Sequence, residues 1–227
     1  MNNFQKIKPV LKFENENDFY FIQILKRRKD NPEMDRDVKV IKSFYIFSQE
    51  ELDKCSTVII HLCEFENARA YIRLNRRNLQ SVGIELLKER VRSIEMNGDN
   101  ERTFEDISFI TSTLRTRRYA DILTSFTASS QDRKLFDSVC GSTLCDKDKT
   151  WIVDIDYVNG NDPENIEEIF QLIYDLQKLT GKEPKMLHID SKNGFHIITR
   201  PFNLQSFRYL FPTIDIHKDN PTILYCK

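Results

Sequence analysis

Trp151–Asp156 reads WIVDID, and the fold turns on that hexapeptide and the seventy residues after it. Alternate residues of a strand point to opposite faces. Trp151, Val153 and Ile155 therefore predict one apolar face, and Ile152, Asp154 and Asp156 the other, with two carboxylates side by side. Downstream, Asp162 is placed to cap a helix with Pro163 at its first position and Glu164 near its positive end. Ile166, Ile169, Phe170, Ile173, Leu176 and Leu179 form one apolar stripe along that helix, and Gly181 is a C-terminal stop. Lys185–Asp190 and Phe195–Arg200 predict two more strands joined tightly through Ser191–Gly194. A short helix near Leu204–Leu210 leads to a strand over Thr213–His217, and Thr222–Cys226 predicts a last strand.

The order β-α-β-β-α-β-β is the split βαβ pattern of ferredoxin-like and RNA-recognition-type sheets with one addition. In that topology the first strand lies in the middle of the sheet, between the third and the fourth. Upstream, the polar stretches Glu95–Arg102 (EMNGDNER) and Cys140–Thr150 (CGSTLCDKDKT) read as loops, the second separating residues 1–150 from a compact unit at 151–227. Phe19–Leu25, Ser43–Phe47, Thr57–Leu62 and Ala70–Leu74 read as strands rich in β-branched and aromatic residues. Leu79, Val82, Leu86, Val91 and Ile94 predict a helix from Asn78 to about Ile94, and a second spans Tyr119–Phe126. The expected class is thus α+β: an N-terminal α/β lobe followed by a sheet of the RNA-recognition type.

Composition bounds the function. The 227 residues fit one large domain or two small lobes sharing a cleft. An apolar share of 40%, with sixteen Phe and eight Tyr, is enough for a core, and six Gly with seven Pro exclude a linker-like chain. Basic and acidic residues nearly cancel, 34 against 35, so a binder driven by net charge is excluded and nucleic-acid contacts have to come from local clusters. The opening MNNFQKIKPVLKFENEND has no apolar h-region and no run is long enough to span a bilayer, so neither a secretory signal nor a membrane partner is expected. Five scattered cysteines suit a reducing cytoplasm. Cys140 and Cys145 have the look of half a zinc site, but no second pair stands at ligand spacing, and two ordinary thiols are expected.

In a sheet of the split βαβ order, Asp154 and Asp156 on the central strand are flanked by His196 on one neighbour and Asp215 on the other, on the face that no helix covers. Close carboxylates raise one another's pKa unless a cation sits between them. Mg²⁺ or Mn²⁺ prefers such oxygen ligands, and a pair of these ions clamps both the attacking and the leaving oxygen in nucleotidyl transfer. In SKNGFH, Ser191, Lys192 and the turn at Gly194 would offer a hydroxyl, an ammonium and backbone N–H groups to an anion, with His196 two residues beyond. Each pattern has a plainer reading: a strand end facing solvent for the D-x-D pair, and a hairpin turn with a solvated lysine and a packed histidine for the second.

Together, WIVDIDYV, SKNGFHIITRPF and TIDIHKDNPTILYCK resemble the three motifs of the archaeo-eukaryotic primase, or primase–polymerase, superfamily. They cover the C-terminal third of the chain; the N-terminal lobe is similar only in kind. The resemblance implies a DNA primase/polymerase-like nucleotidyltransferase using Mg²⁺ or Mn²⁺. It makes Asp154, Asp156 and Asp215 catalytic metal ligands, with Asp219 the rival for the third place, and Ser191, Lys192, Gly194 and His196 nucleotide contacts. RAYIRLNRRN (Arg69–Asn78) resembles the family's basic strand, with Arg73, Asn75 and above all Arg76 as nucleotide-binding candidates. Arg115, Arg117 and Arg118 in LRTRRY offer a template-backbone contact or simply the wet face of a helix. The implied partners are a single-stranded template, nucleoside triphosphates and a replicative helicase. Only 19 residues separate His196 from Asp215, and neither a zinc module nor a helicase segment is recognisable, which suits a minimal core from a virus or mobile element working in a host cytoplasm. Two other functions compete: a non-catalytic single-strand-binding module with an RNA-recognition-type sheet, and a two-metal nuclease using the same carboxylates.

Overall fold

The computed structural model describes residues 1–98, 101–143, 149–158, 163 and 165–227. A short helix α1 (Phe4–Ile7) and one 3-10 turn precede β1 (Asp18–Arg27) and β2 (Val38–Ile46). Helix α2 (Gln49–Glu66), β3 (Arg69–Ile72) and the two-residue β4 (Arg77–Asn78) come next. Four helices succeed them: α3 (Leu79–Asn97), α4 (Glu101–Thr116), α5 (Tyr119–Ala128) and α6 (Ser130–Ser142). The remainder is β5 (Trp151–Asp156), α7 (Ile166–Lys178), β6 (Met186–Asp190), β7 (Gly194–Thr199), α8 (Leu204–Leu210), β8 (Asp215–His217) and β9 (Thr222–Cys226). The chain is α+β, with two antiparallel sheets ordered β2-β1-β3-β9 and β6-β7-β5-β8, β4 pairing with β1. Among the described residues no helix is long and apolar enough to cross a membrane.

The second sheet has the split βαβ order, with β5 between β7 and β8. Val153 and Ile155 of β5 pack with Ile169, Ile173 and Leu176 of α7, as the apolar stripe predicts. That helix begins later than expected, at Ile166; Asp162 and Glu164 lie outside the described residues, as does Cys145. Gly181 has φ +72°, the left-handed conformation that suits a glycine just past a helix. On the opposite face, Ile152, Ile189 and Ile198 join a core with Ile22, Ile24, Ala70 and Ile72 of the first sheet. The two sheets therefore share apolar packing. Asn3, fully buried, ties them by donating to the carbonyls of Asp190 at 2.9 Å and Ile223 at 3.1 Å.

Four elements differ from expectation. Thr57–Leu62 is helical, inside α2, although TVII is β-branched. Ser48 caps that helix by accepting from the Glu51 N–H at 3.1 Å, Glu51 accepts from the Phe47 N–H at 2.7 Å, and Leu52, Ile59 and Cys63 bury one helical face. A capped amphipathic helix outweighs weak local β preference. Helices α4 and α6 arise in stretches where the sequence alone predicts no helix; their buried residues (Ile110; Phe136, Val139 and Cys140) close a core over Phe19 and Phe21 of β1. Finally, Thr222–Cys226 does not extend the second sheet but pairs with β3 as the edge of the first.

Candidate functional site

The register of β5 sets the site. Asp154 pairs with His196 on β7 and with Asp215 on β8, and Asp156 pairs with Gly194. Directly paired residues share a sheet face, so the acidic side of β5 carries an imidazole on one flank and a third carboxylate on the other. This face turns toward the first sheet, Ile152 sharing a core with Ile22, Ile24 and Ile72. Asp154 is half-buried, while Asp156 and Asp215 are exposed. All three line one pocket of about 300 Å³ with Pro163, Phe211 and Thr213. Among the described residues, however, no three His, Cys, Asp or Glu side chains are gathered closely enough to hold a metal ion.

The His196 Nε2 lies 3.3 Å from Asp154 Oδ1, and its Nδ1 lies 2.7 Å from the Thr222 hydroxyl. The carboxylate can only accept, so a neutral ring donates to it from Nε2 and can take the hydroxyl proton of Thr222, on the other sheet, at Nδ1. His217 Nε2 stands 3.9 Å from Asp154 Oδ2. The His196 hydrogen bond holds the Asp154 carboxyl below its usual range against the upward push of burial, helped by the charge the two imidazoles can carry. His217 shares the face with Asp215 by alternation, but the sequence alone assigns it no role.

The SKNGFH turn is a hairpin whose Ser191 N–H donates to the Gly194 carbonyl at 2.9 Å. Gly194 is required by close approach: a Cβ there would stand 1.9 Å from the Ile155 carbonyl oxygen. Ser191 and Lys192 line a cleft of about 530 Å³ together with Asp154, Asp156, His196 and His217. The far wall comes from the first sheet: Arg27, Lys29, Arg69 and Tyr71. These four residues lie more than eighty positions from the carboxylates, in two basic stretches, Lys26–Lys29 and the run that starts at Arg69. Asp30 anchors this wall, accepting from Arg69 Nη2 and from Lys192 Nζ, both at 2.6 Å. Arg69 chiefly, with Lys192, draws the Asp30 carboxyl down to about 2 against the opposing effect of burial. A depressed carboxyl pKa contributes stability that is complete above the unfolded value near 3.8 and lost as pH falls through about 2. Asp30→Asn is expected to remove about 1–2 kcal/mol at neutral pH and to flatten the acid limb between those two values, read from thermal melting against pH.

Arg76 lies elsewhere. It pairs with Glu14 at 3.0 Å and Asp18 at 3.2 Å and lines a separate cleft with Lys12, Lys149 and Arg200, so the expectation that it meets the nucleotide is not met by its placement. Arg73 and Asn75 are engaged by Asp219. The fully buried Arg77 also pairs with Asp219 at 2.9 Å, which commits that carboxylate to the fold and leaves Asp215 as the acid beside Asp154. Arg115, Arg117 and Arg118 are exposed at the turn between α4 and α5 and line neither carboxylate pocket. Cys140 is buried. No protein-family model, no curated protein and no solved structure matches this chain.

Proposed function

We propose that this chain is a metal-dependent nucleotidyltransferase of the primase–polymerase kind, which adds a nucleotide to a 3′-hydroxyl on a single-stranded template and releases pyrophosphate. The observation that carries the reading is Asp154, flanked in register by His196 and Asp215, on a sheet face that confronts Arg27, Lys29 and Arg69 across one cleft, with Lys192 beside it on the hairpin. Acids alone would repel a triphosphate and cations alone would not position a divalent ion; the two facing each other suit a metal–triphosphate complex.

The donor set fits Mg²⁺ or Mn²⁺ in chemistry: hard oxygens of Asp154, Asp156 and Asp215, lining one pocket from adjacent strands. The side chains are not drawn together as described, so binding has to gather them. Bound there, such an ion would lower the pKa of the attacking hydroxyl and offset charge developing on phosphate. The protein's own contributions are positional. Arg27, Lys29 and Arg69 attract the phosphates, the Ser191 hydroxyl and the hairpin around Gly194 shape the adjoining end of the cleft, and Thr222 orients His196 toward Asp154. A sheet face bearing aspartates rather than a run of stacked aromatics disfavours the silent single-strand-binding module.

Primer extension on a single-stranded template, run with ribo- and deoxynucleotides and with each metal, tests the reading. Elongated product that requires the metal is the expected result. Cleavage of the oligonucleotide in metal without nucleotides would replace it with the nuclease, and metal-independent binding without incorporation would replace it with the binding module.

A further inference from the structure

The first sheet carries a charged feature that nucleotide binding leaves unused. In the β1–β2 pair, Ile24 opposes Lys42 but Leu25 opposes Val40, so Ile41 is an extra residue in β2. An extra residue shifts the alternation by one. Val38 and Val40 thereby come to the same face as Ser43 and Tyr45, and both are exposed. They continue outward the apolar patch formed by Leu25, Tyr71 and Ile223 at the floor of the carboxylate cleft. Val38 lines both that cleft and a second trough of about 490 Å³, so the two adjoin at that residue.

The second trough is walled by cations from two elements. Arg36, Lys39 and Lys42 come from β2 and its approach, and Arg133 and Lys134 from α6; all five are exposed. Among the described residues, none of Arg36, Lys39, Lys42 and Lys134 has a carboxylate within ion-pair distance. The one acid in the wall, Asp137, accepts the hydroxyls of Ser43 at 2.6 Å and Tyr45 at 2.5 Å. By the same register Lys39 and Lys42, paired with Lys26 and Ile24, leave the Val38–Val40 face and border the trough at the free edge of β2, across from the α6 cations. Cations without counter-charges beside an apolar floor match a chain that is anionic along its length.

We propose that this trough holds the sugar–phosphate backbone of the single strand that feeds the carboxylate cleft. The assignment rests on the nucleotidyl-transfer reading, since it is the junction with the cleft of Asp154 and Asp156 that selects a nucleic acid. An acidic peptide added along the free edge of β2 would lie in the sheet plane and leave the α6 cations above the face unused.

The test is the affinity of the full chain for a fluorescent oligothymidylate, measured by anisotropy across a salt series. Arg36→Glu/Lys39→Glu/Lys134→Glu is expected to weaken binding roughly tenfold or more at low salt and to reduce the slope of log K against log salt by about two. Lys12→Glu/Lys149→Glu, in the separate cleft beside Arg76, is expected to stay within about twofold of wild type. Unchanged affinity in the triple variant overturns the trough, as does equal loss in the control pair or tighter binding of polyaspartate than of the oligonucleotide. The two readings fail separately. A weakened triple variant beside a wild type that extends no primer keeps the trough as a strand-binding surface and removes nucleotidyl transfer. Metal-dependent extension with unaltered template affinity in the triple variant does the reverse.

Discussion

An Asp154→Ala/Asp156→Ala double variant is expected to add no nucleotide to a primed template and to unfold close to the wild-type temperature. The first half stems from the proposed chemistry. Oxygen donors facing a metal–triphosphate complex act on charge that grows during the reaction, and deleting both central ligands is expected to lower the rate by at least about 10³-fold. The second half stems from the contacts these carboxylates make. Asp156 is exposed, and among the described residues Asp154 meets two histidines, His196 at 3.3 Å and His217 at 3.9 Å. A partly solvated pair of this sort contributes within about 1 kcal/mol. Primer extension and thermal melting on the same preparation check both halves. Retained extension by a folded double variant would remove the catalytic reading of this face.

The contrasting result is expected at Asp219, an acid four residues beyond Asp215. Asp219→Ala is expected to cost about 3–5 kcal/mol, because it strands a buried guanidinium. Arg77 has no solvent exposure; it donates to the carbonyls of Cys140 at 2.7 Å and Asn75 at 2.6 Å, and its charge is balanced by Asp219 Oδ2 at 2.9 Å. Asn75 adds a hydrogen bond to Asp219 Oδ1 at 2.8 Å and accepts the Thr150 N–H at 2.6 Å, binding the entrance of β5 to the same knot. The loop carrying Asp219 joins β8 to β9, so loosening it releases Asp215 and His217 on one side and Thr222, the partner of His196, on the other. Urea unfolding reads the loss. Asp219→Asn, which can keep the Asn75 contact without the charge, is expected to fall between wild type and alanine, and Asp215→Ala to stay within about 0.5 kcal/mol because its side chain is exposed. A loss below about 1 kcal/mol for Asp219→Ala would show that the buried charge is balanced some other way.

The chain's local periods carried much of this architecture. The alternation in WIVDID separated the acids from Val153 and Ile155 before any partner strand was known, and the Ile/Leu stripe named the face that α7 lays on them. From the split βαβ order it followed that His196 and Asp215 would flank Asp154, as their register has it. Long-range choices were illegible for a physical reason: periodicity tells which face a residue takes, not which distant strand or charge it meets. Nothing in TILYC says that it completes the first sheet through β3, and nothing in RAYIRLNRRN separates Arg76, held by Asp18, from Arg69, which faces the cleft. Spacing along the chain determined the acidic strand and its neighbours; packing of two sheets around a shared apolar core decided which cations, 80 to 130 residues away, stand opposite them.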